Sequence, residues 1–464
     1  MESSFDEAFV SGVAEGSLNY SVEGKLALDG HPLDELCRRF GSPLFVASRA
    51  KIQANVHRFL QAFAGYGKPV IFSYSAKTNS NLGVLEILRQ TGVYAGVCSA
   101  LDYAAARRAG FPPERIIFDG LAKSPEALEQ AIGSRISLIN VESWQELEMI
   151  NEIARRQGHV MPVGLRIRIG SPSLHLPSAK SLLGISYDRF GFDLKSGLAH
   201  EVLGRIDRLP NVQLQGLHVH EGSHYRSAEP YLKNFKLLFP LIQRIHEKNP
   251  RALKYLNLGG GFGVPAVAPR TMWDVVLQRT NPKNLPMDLN RVAAEIAAEV
   301  TQRFDHAGIP LPTLVFEPGR AVVGDAFVLV CRILLRKEVP GSGTWLILDA
   351  GTNLFPYLLT FSESHCVFPV QKPLQGSPAE RVHLAGPLLY SSDILMRNCR
   401  LPRLEPGSLV ALLDAGAYTL AYSNQFLYPR PAVVLLDGHE ARVIRQTETA
   451  EDVLRQDRMS ADGN

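Results

Sequence analysis

The chain has 464 residues, 45% of them hydrophobic and 20% charged, and its 49 basic and 46 acidic side chains leave a formal net charge of +3. That length exceeds what one hydrophobic core normally serves, so two domains are expected, and the balanced charge without like-charge runs gives no case for nucleic acid or an acidic membrane surface. Five scattered cysteines (Cys37, Cys98, Cys331, Cys366, Cys399) with no CxxC pair point to neither a disulfide framework nor a zinc site.

In chain order, MESSFDEAFV lacks the basic start and apolar core of a signal peptide. The first 45 residues read as hairpin-like strands around LNYSVEGKLALDG and a short helix in HPLDELCRRFG. From residue 69, apolar runs alternate with amphipathic segments. The runs are VIFSY (70–74), VYAGV (93–97), RIIF (115–118), ISLIN (136–140), VGLRIRI (163–169), VQLQGLHVH (212–220), KYLNL (254–258) and TLVFE (313–317). Near-continuous Val, Ile and Leu suits parallel strands covered on both faces. Between them, 82–90, 101–109 and 143–157 pattern as helices, the last with Ser143 and Glu146 in capping-box spacing.

Eight strands separated by helices predict an N-terminal (β/α)8 TIM-like barrel over 46–325; the count alone leaves an open doubly wound sheet as the alternative. The Pro-rich stretch near 264–287 reads as a surface excursion. The apolar stretch 321–335 is too short to span a bilayer and contains Asp325, so a cytoplasmic enzyme is expected. After residue 325, short β-like runs separated by Gly, Pro and Asp turns predict a mainly antiparallel β domain of 326–464, joined by 1–45.

Several polar residues fall at the ends of the barrel runs, where such barrels place their chemistry. Lys77 follows the first run; desolvation there would depress its pKa and make the amine a nucleophile, while a solvated loop lysine is the plain alternative. In GLHVHEGSH (216–224), His218 and His220 share a strand face and Ser223 lies in a turn suited to an anion. The HxH pair has no obvious third metal ligand, so no metal is assigned, and two satisfied barrel histidines remain possible. NLGGGFG (257–263) lets backbone approach a phosphate closely, although it matches neither the P-loop nor GxGxxG. EPGR (317–320) sets an acid and a base at the same rim, as a salt bridge or as partners of a ring nitrogen and a phosphate.

In order, YSAKTNSN, HVHEGS, GGGFG, EPGR, DAG (349–351), GPLLYSSD (386–393) and DAGAY (414–418) resemble the fold-type III pyridoxal-phosphate decarboxylases, the diaminopimelate, ornithine and arginine decarboxylases and those of D-ornithine and D-lysine. The resemblance implies an alanine racemase-like barrel with a C-terminal β domain, the cofactor pyridoxal 5'-phosphate, and a homodimer in which the GPxC…D loop of one subunit completes the other's site. It implies that Lys77 carries the cofactor as a Schiff base, that Glu317 holds the ring nitrogen protonated, and that His220 stacks on the ring. It assigns the phosphate to Ser223, Gly259, Gly260, Gly261, Arg320 and Tyr418, and makes Arg166 a support of the cofactor site. Asp349 and Asp393 match acidic positions near the substrate side chain.

Two departures bear on the reaction. Leu389 stands where the family has a proton-donating cysteine, which shifts that duty to Tyr390, a water or Lys77. DAGTNLFPYLL (349–359) has no arginine for a distal carboxylate, and Tyr390 replaces an acidic residue, which sets diaminopimelate aside as the substrate. Phe355, Tyr357 and Tyr390 point to a less charged or bulkier amino acid or amino-acid conjugate. Racemisation, elimination, decarboxylation-linked transamination and a non-catalytic regulatory homologue are the alternatives.

Overall fold

The computed structural model describes residues 17–170, 189–264, 268–269, 287–360, 363–374 and 377–458. Most of the expected excursion at 264–287 therefore lies outside the described residues. Two compact units divide the chain: 53–263 with 286–322, and 1–52 with 264–285 and 323–464.

The first unit is a closed barrel of eight parallel strands. They are β1 (Val70–Ser75), β2 (Tyr94–Val97), β3 (Ile116–Phe118), β4 (Leu138–Val141), β5 (Met161–Arg168), β6 (Val212–His218), β7 (Tyr255–Asn257) and β8 (Thr313–Phe316). Each pairs with its neighbour in the chain. Pairing of Leu314 with Val70 through Phe316 with Phe72 closes β8 onto β1 and decides against the open sheet. The expected helices form at Leu82–Gln90, Ala100–Arg108 and Trp144–Arg156. Ser143 caps the last by accepting from Glu146 N–H at 3.2 Å. The reciprocal half of the capping box is absent: the Glu146 carboxylate accepts from Glu142 N–H and pairs with buried Lys123 instead.

An aromatic cluster steadies the rim of this barrel. Phe63 lies 4.5 Å from Phe316 at the end of β8, and Phe59 lies 4.8 Å from Phe262 in the glycine turn after β7. Tyr231 packs 5.2 Å from Phe262 and donates its hydroxyl to Gly260 O. Burying each such ring contributes about 2 kcal/mol, so the turn is pinned by packing as well as by hydrogen bonds.

In the second unit a sheet runs in the order Ile394–Pro402, Ala379–Ala385, Gly343–Leu348, Phe327–Val339, Leu44–Ser48, Val433–Asp437, Glu440–Arg445. It is antiparallel except for the pairs 343–348 with 379–385 and 433–437 with 44–48. The N-terminal hairpin and the helix Leu33–Phe40 bury Leu18, Leu26, Leu33 and Leu36 in the same core as Val46, Val330 and Val434. Because 44–48 is an inner strand of this sheet, the chain enters the barrel unit at residue 53, later than the boundary at 46 read from sequence.

Candidate active site

The residues read as chemical fall into two sets. Lys77, Arg166, His220, Ser223, Gly259, Gly260, Gly261, Glu317 and Arg320 belong to the barrel unit; Asp349, Phe355, Tyr390, Asp393 and Tyr418 belong to the β unit.

In the barrel, β1 runs into a 3-10 turn, Ala76–Thr78, that leaves the Lys77 side chain exposed while Thr78 and Asn79 are buried. Tyr74 fixes the turn by donating to Asn79 O at 3.0 Å. The EPGR turn after the neighbouring β8 packs directly against it. Ser75 N–H donates to Pro318 O, and a methyl group on Gly319 would lie 2.2 Å from Thr78 Oγ1, a contact only glycine avoids.

The glycine turn fixes Glu317. Gly259 O accepts from Glu317 N–H at 2.9 Å, and a methyl on Gly260 would meet Glu317 O at 2.2 Å. Asn257, fully buried at the end of β7, donates to Glu317 Oε1 at 2.7 Å and accepts from Gly259 N–H at 2.8 Å. Gly260 N–H donates to His220 Nδ1 at 2.9 Å, which fixes that nitrogen as the acceptor. Two of the expected phosphate donors, the N–H groups of Gly259 and Gly260, are thus taken up in shaping the turn. The turn is tied in addition to the 220s loop by Tyr225 N–H to Gly261 O and Gly263 N–H to Tyr225 O. Ser223 is exposed in that loop, and Arg320 is buried at the start of Arg320–Val323.

Electrostatics bind these groups into one site. Burial raises the Glu317 pKa, while the Asn257 hydrogen bond and the positive charges of Lys77 and Arg166 pull it down. Burial, then the same two cations, push His220 well below the usual histidine range, so its ring is neutral. Arg166 pairs with Glu142 at 2.6 Å and lies 4.4 Å from the centre of the Phe190 ring. Cys98, after β2, is held as a thiol by burial, which pushes it up to about 12.

The β-unit residues look different from their expected roles. Asp393 is buried, with Oδ1 accepting from Thr352 N–H and hydroxyl and Oδ2 from Leu388 N–H, so it fastens its own loop. Asp349 accepts from Arg332 N–H and the Ser42 hydroxyl, and burial raises its pKa. Phe355, expected at the substrate, is 1% exposed and packs edge-on to His365. Tyr390 is half-buried, with its hydroxyl against Thr352 Oγ1. Since the Thr352 hydroxyl donates to Asp393, Tyr390 is the donor in that contact. Tyr418 adopts a φ of 59° and stacks on Tyr357 at 4.7 Å. Two polar residues of the barrel, Asn257 and Asp119, escaped the sequence reading of the site, as did the buried contact of His218 with Glu317.

An amine and a carboxylate on adjacent strand ends, a neutral imidazole, a buried arginine and a turn too tight for any Cβ fit pyridoxal phosphate. The chain also matches the family description "Pyridoxal-dependent decarboxylase, pyridoxal binding domain" over residues 49–324. It belongs to that family, the fold-type III decarboxylases, with the alanine racemase-like fold and pyridoxal 5'-phosphate as cofactor. It is 29% identical over 441 residues to diaminopimelate decarboxylase of Methanocaldococcus jannaschii, covering 94% of this chain and 95% of that one. The same-named protein of Bacillus subtilis is 28% identical over 446 residues, covering 95% and 97%. A crystal structure of the M. jannaschii enzyme with L-lysine superposes with TM-score 0.84 at 27% identity, over 97% of this chain and 99% of that chain. A lysine/ornithine decarboxylase from Vibrio vulnificus, 20% identical with TM-score 0.70 over 88% and 97%, shares the fold. These names do not favour the exclusion of diaminopimelate drawn from the sequence. No helix among the described residues is long and apolar enough to cross a membrane.

Proposed function

We propose that this chain decarboxylates an amino acid or an amino-acid conjugate, with Lys77 as the amine that carries the cofactor. The observation that carries the reading is the packing of the Lys77 turn on the Glu317 turn, which sets amine and acid side by side at the barrel mouth. When bound, pyridoxal phosphate supplies an electron sink for the pair of electrons left by the departing carboxylate. Glu317, held by Asn257, would hold the ring nitrogen and keep a proton there. His220, neutral and anchored through Nδ1, would support the ring. Arg320 and Ser223 would bind the phosphate. Arg166, locked by Glu142, holds positive charge at the rim.

Leu389 cannot donate a proton, and the Tyr390 proton is engaged by Thr352. Lys77 Nζ, or a water, is then left to deliver the proton replacing the carboxylate. Leu389 is 87% exposed while Leu388 is buried, so the loop presents an apolar tip. This supports a homodimer in which that tip is covered; light scattering on Leu389→Glu should show a loss of dimer.

Borohydride reduction followed by peptide mapping should place a pyridoxyl group on Lys77. Carbon dioxide should be released from at least one member of a panel headed by diaminopimelate and including both enantiomers of basic and acidic amino acids and their conjugates. A label elsewhere, or silence across the panel, overturns the reading. The leucine at 389 favours one second reading, another pyridoxal-phosphate reaction, and an aldehyde or racemised product would select it.

A further inference from the structure

A buried polar layer beneath the mouth includes two residues, Asp119 and His218, that the roles above do not use. Asp119 follows β3, His218 ends β6 and Glu317 follows β8, with one ligand atom of each within 4.8 Å of the others. His218 Nε2 is 3.2 Å from Glu317 Oε1, and His218 Nδ1 is 3.9 Å from Asp119 Oδ1. His218 is 2% exposed, yet neither ring nitrogen has a hydrogen-bond partner among the described residues, nor do Ser73 Oγ and Asn140 Oδ1 nearby. Gly96 borders the layer, where a methyl would lie 2.8 Å from Ser73 Oγ. Leaving buried polar atoms unpartnered is costly, so packing alone does not account for this layer.

The ring of His218 is neutral, since burial pushes its pKa down to about 4. It therefore has one N–H. If Nδ1 carried it, the lone pair of Nε2 would face the lone pairs of Glu317 at 3.2 Å, which is tolerable only with Glu317 protonated. If Nε2 carries it, Nε2 donates to Glu317 and Nδ1 needs a donor from Asp119. The carboxyl of Asp119 fills that role on the acid side of about pH 6, the value to which burial, then the negative charge of Glu317, push it up. Asp119 is faced also by Asn140, which donates to Oδ1, and by the charge of Lys123; His218 is faced by Arg166, Glu142 and Lys77. The 3.9 Å gap is of the kind that tightens when a site is filled.

We propose that Asp119 is a positioning residue for Glu317: as the acid it donates to His218 Nδ1, His218 Nε2 donates to Glu317, and Glu317 meets the ring nitrogen as a carboxylate. This rests on the reading of Glu317 as the ring-nitrogen partner.

The test uses the holoenzyme and reads the pH midpoint of the bound cofactor's visible absorption, which needs no substrate. Asp119→Leu should move that midpoint in the same direction as Glu317→Gln, by about one pH unit or a ten-fold change in the equilibrium. Asp119→Asn, which keeps an N–H donor, should restore most of the wild-type titration. A wild-type titration for Asp119→Leu beside a shifted Glu317→Gln overturns the proposal alone; a wild-type titration for Glu317→Gln overturns the reading beneath it. Should the leucine variant take up no cofactor, His218→Gln reads the same link, and Asp119→Ala must add nothing in that background. Independent, additive shifts, or a stoichiometric metal ion lost on changing Asp119, would also overturn it.

Discussion

Asn257 shows how much of the site depends on a residue with no chemistry of its own. Its amide joins the Glu317 carboxylate to the Gly259 N–H, so it sets both the direction of the acid and the curvature of the turn. A hydrogen bond to a charged group is worth about 1.5–3 kcal/mol. Asn257→Ala should lower kcat/KM about ten- to hundred-fold, and steady-state kinetics with a parallel measurement of cofactor affinity would check it. Gly260→Ala should do comparable harm by a different route, because its methyl would displace Glu317 O rather than unpair a donor; a lowered Tm alongside lost activity would distinguish the two. The places of Lys77, Glu317 and the glycines on the rim were legible in the sequence because each follows an apolar run whose end defines the mouth; their roles came from the resemblance. Asn257 was not, since an asparagine closing a strand is ordinary. Its partner Glu317 is 60 residues away, brought close only by the pairing of β7 with β8.

Elements were easier to read than the contacts between them. All eight strands and the three helices read at 82–90, 101–109 and 143–157 follow from apolar period, but the closing pair of β8 with β1 is a long-range fact that no local pattern carries. The same limit explains the loop 386–393. Its acid, Asp393, was read as a substrate contact from its place in GPLLYSSD, whereas its oxygens accept two backbone N–H groups and a hydroxyl, joining the loop to the turn at Thr352. Asp393→Ala would leave those donors unpaired in a buried place, at a cost of about 2–4 kcal/mol. The expected result is a lower midpoint in urea and faster hydrogen exchange at the Thr352 and Leu388 amides. Unchanged exchange there would remove the loop-fastening role. Phe355 obeys the same lesson: an aromatic in a turn can point either way, and only packing against His365 decides it.

At the scale of the barrel as a whole, the buried layer has a consequence for stability against pH. His218 titrates near pH 4 when folded, against about 6.5 for an ordinary histidine, so between these values the unfolded chain binds a proton that the folded one does not. That difference makes stability fall as pH drops from about 6.5 to 4. Asp119 has the opposite sign. Its folded pKa near 6 lies above the usual carboxylate value, so between about 4 and 6 the folded chain holds a proton that the unfolded one releases, and stability rises as pH drops. Over pH 4 to 6 the two slopes, each about 1.4 kcal/mol per pH unit, offset one another. Asp119→Asn removes only the second. Relative to wild type, that variant should lose stability on acidification from pH 6 to 4, by an amount on the order of 2 kcal/mol. Urea unfolding of both proteins at several pH values in that window measures the difference directly, because the other titrating groups are common to both. Parallel curves would mean that Asp119 does not hold its proton in the fold; a widening gap at low pH would show two buried groups of opposite sign keeping the mouth of the barrel insensitive to acid.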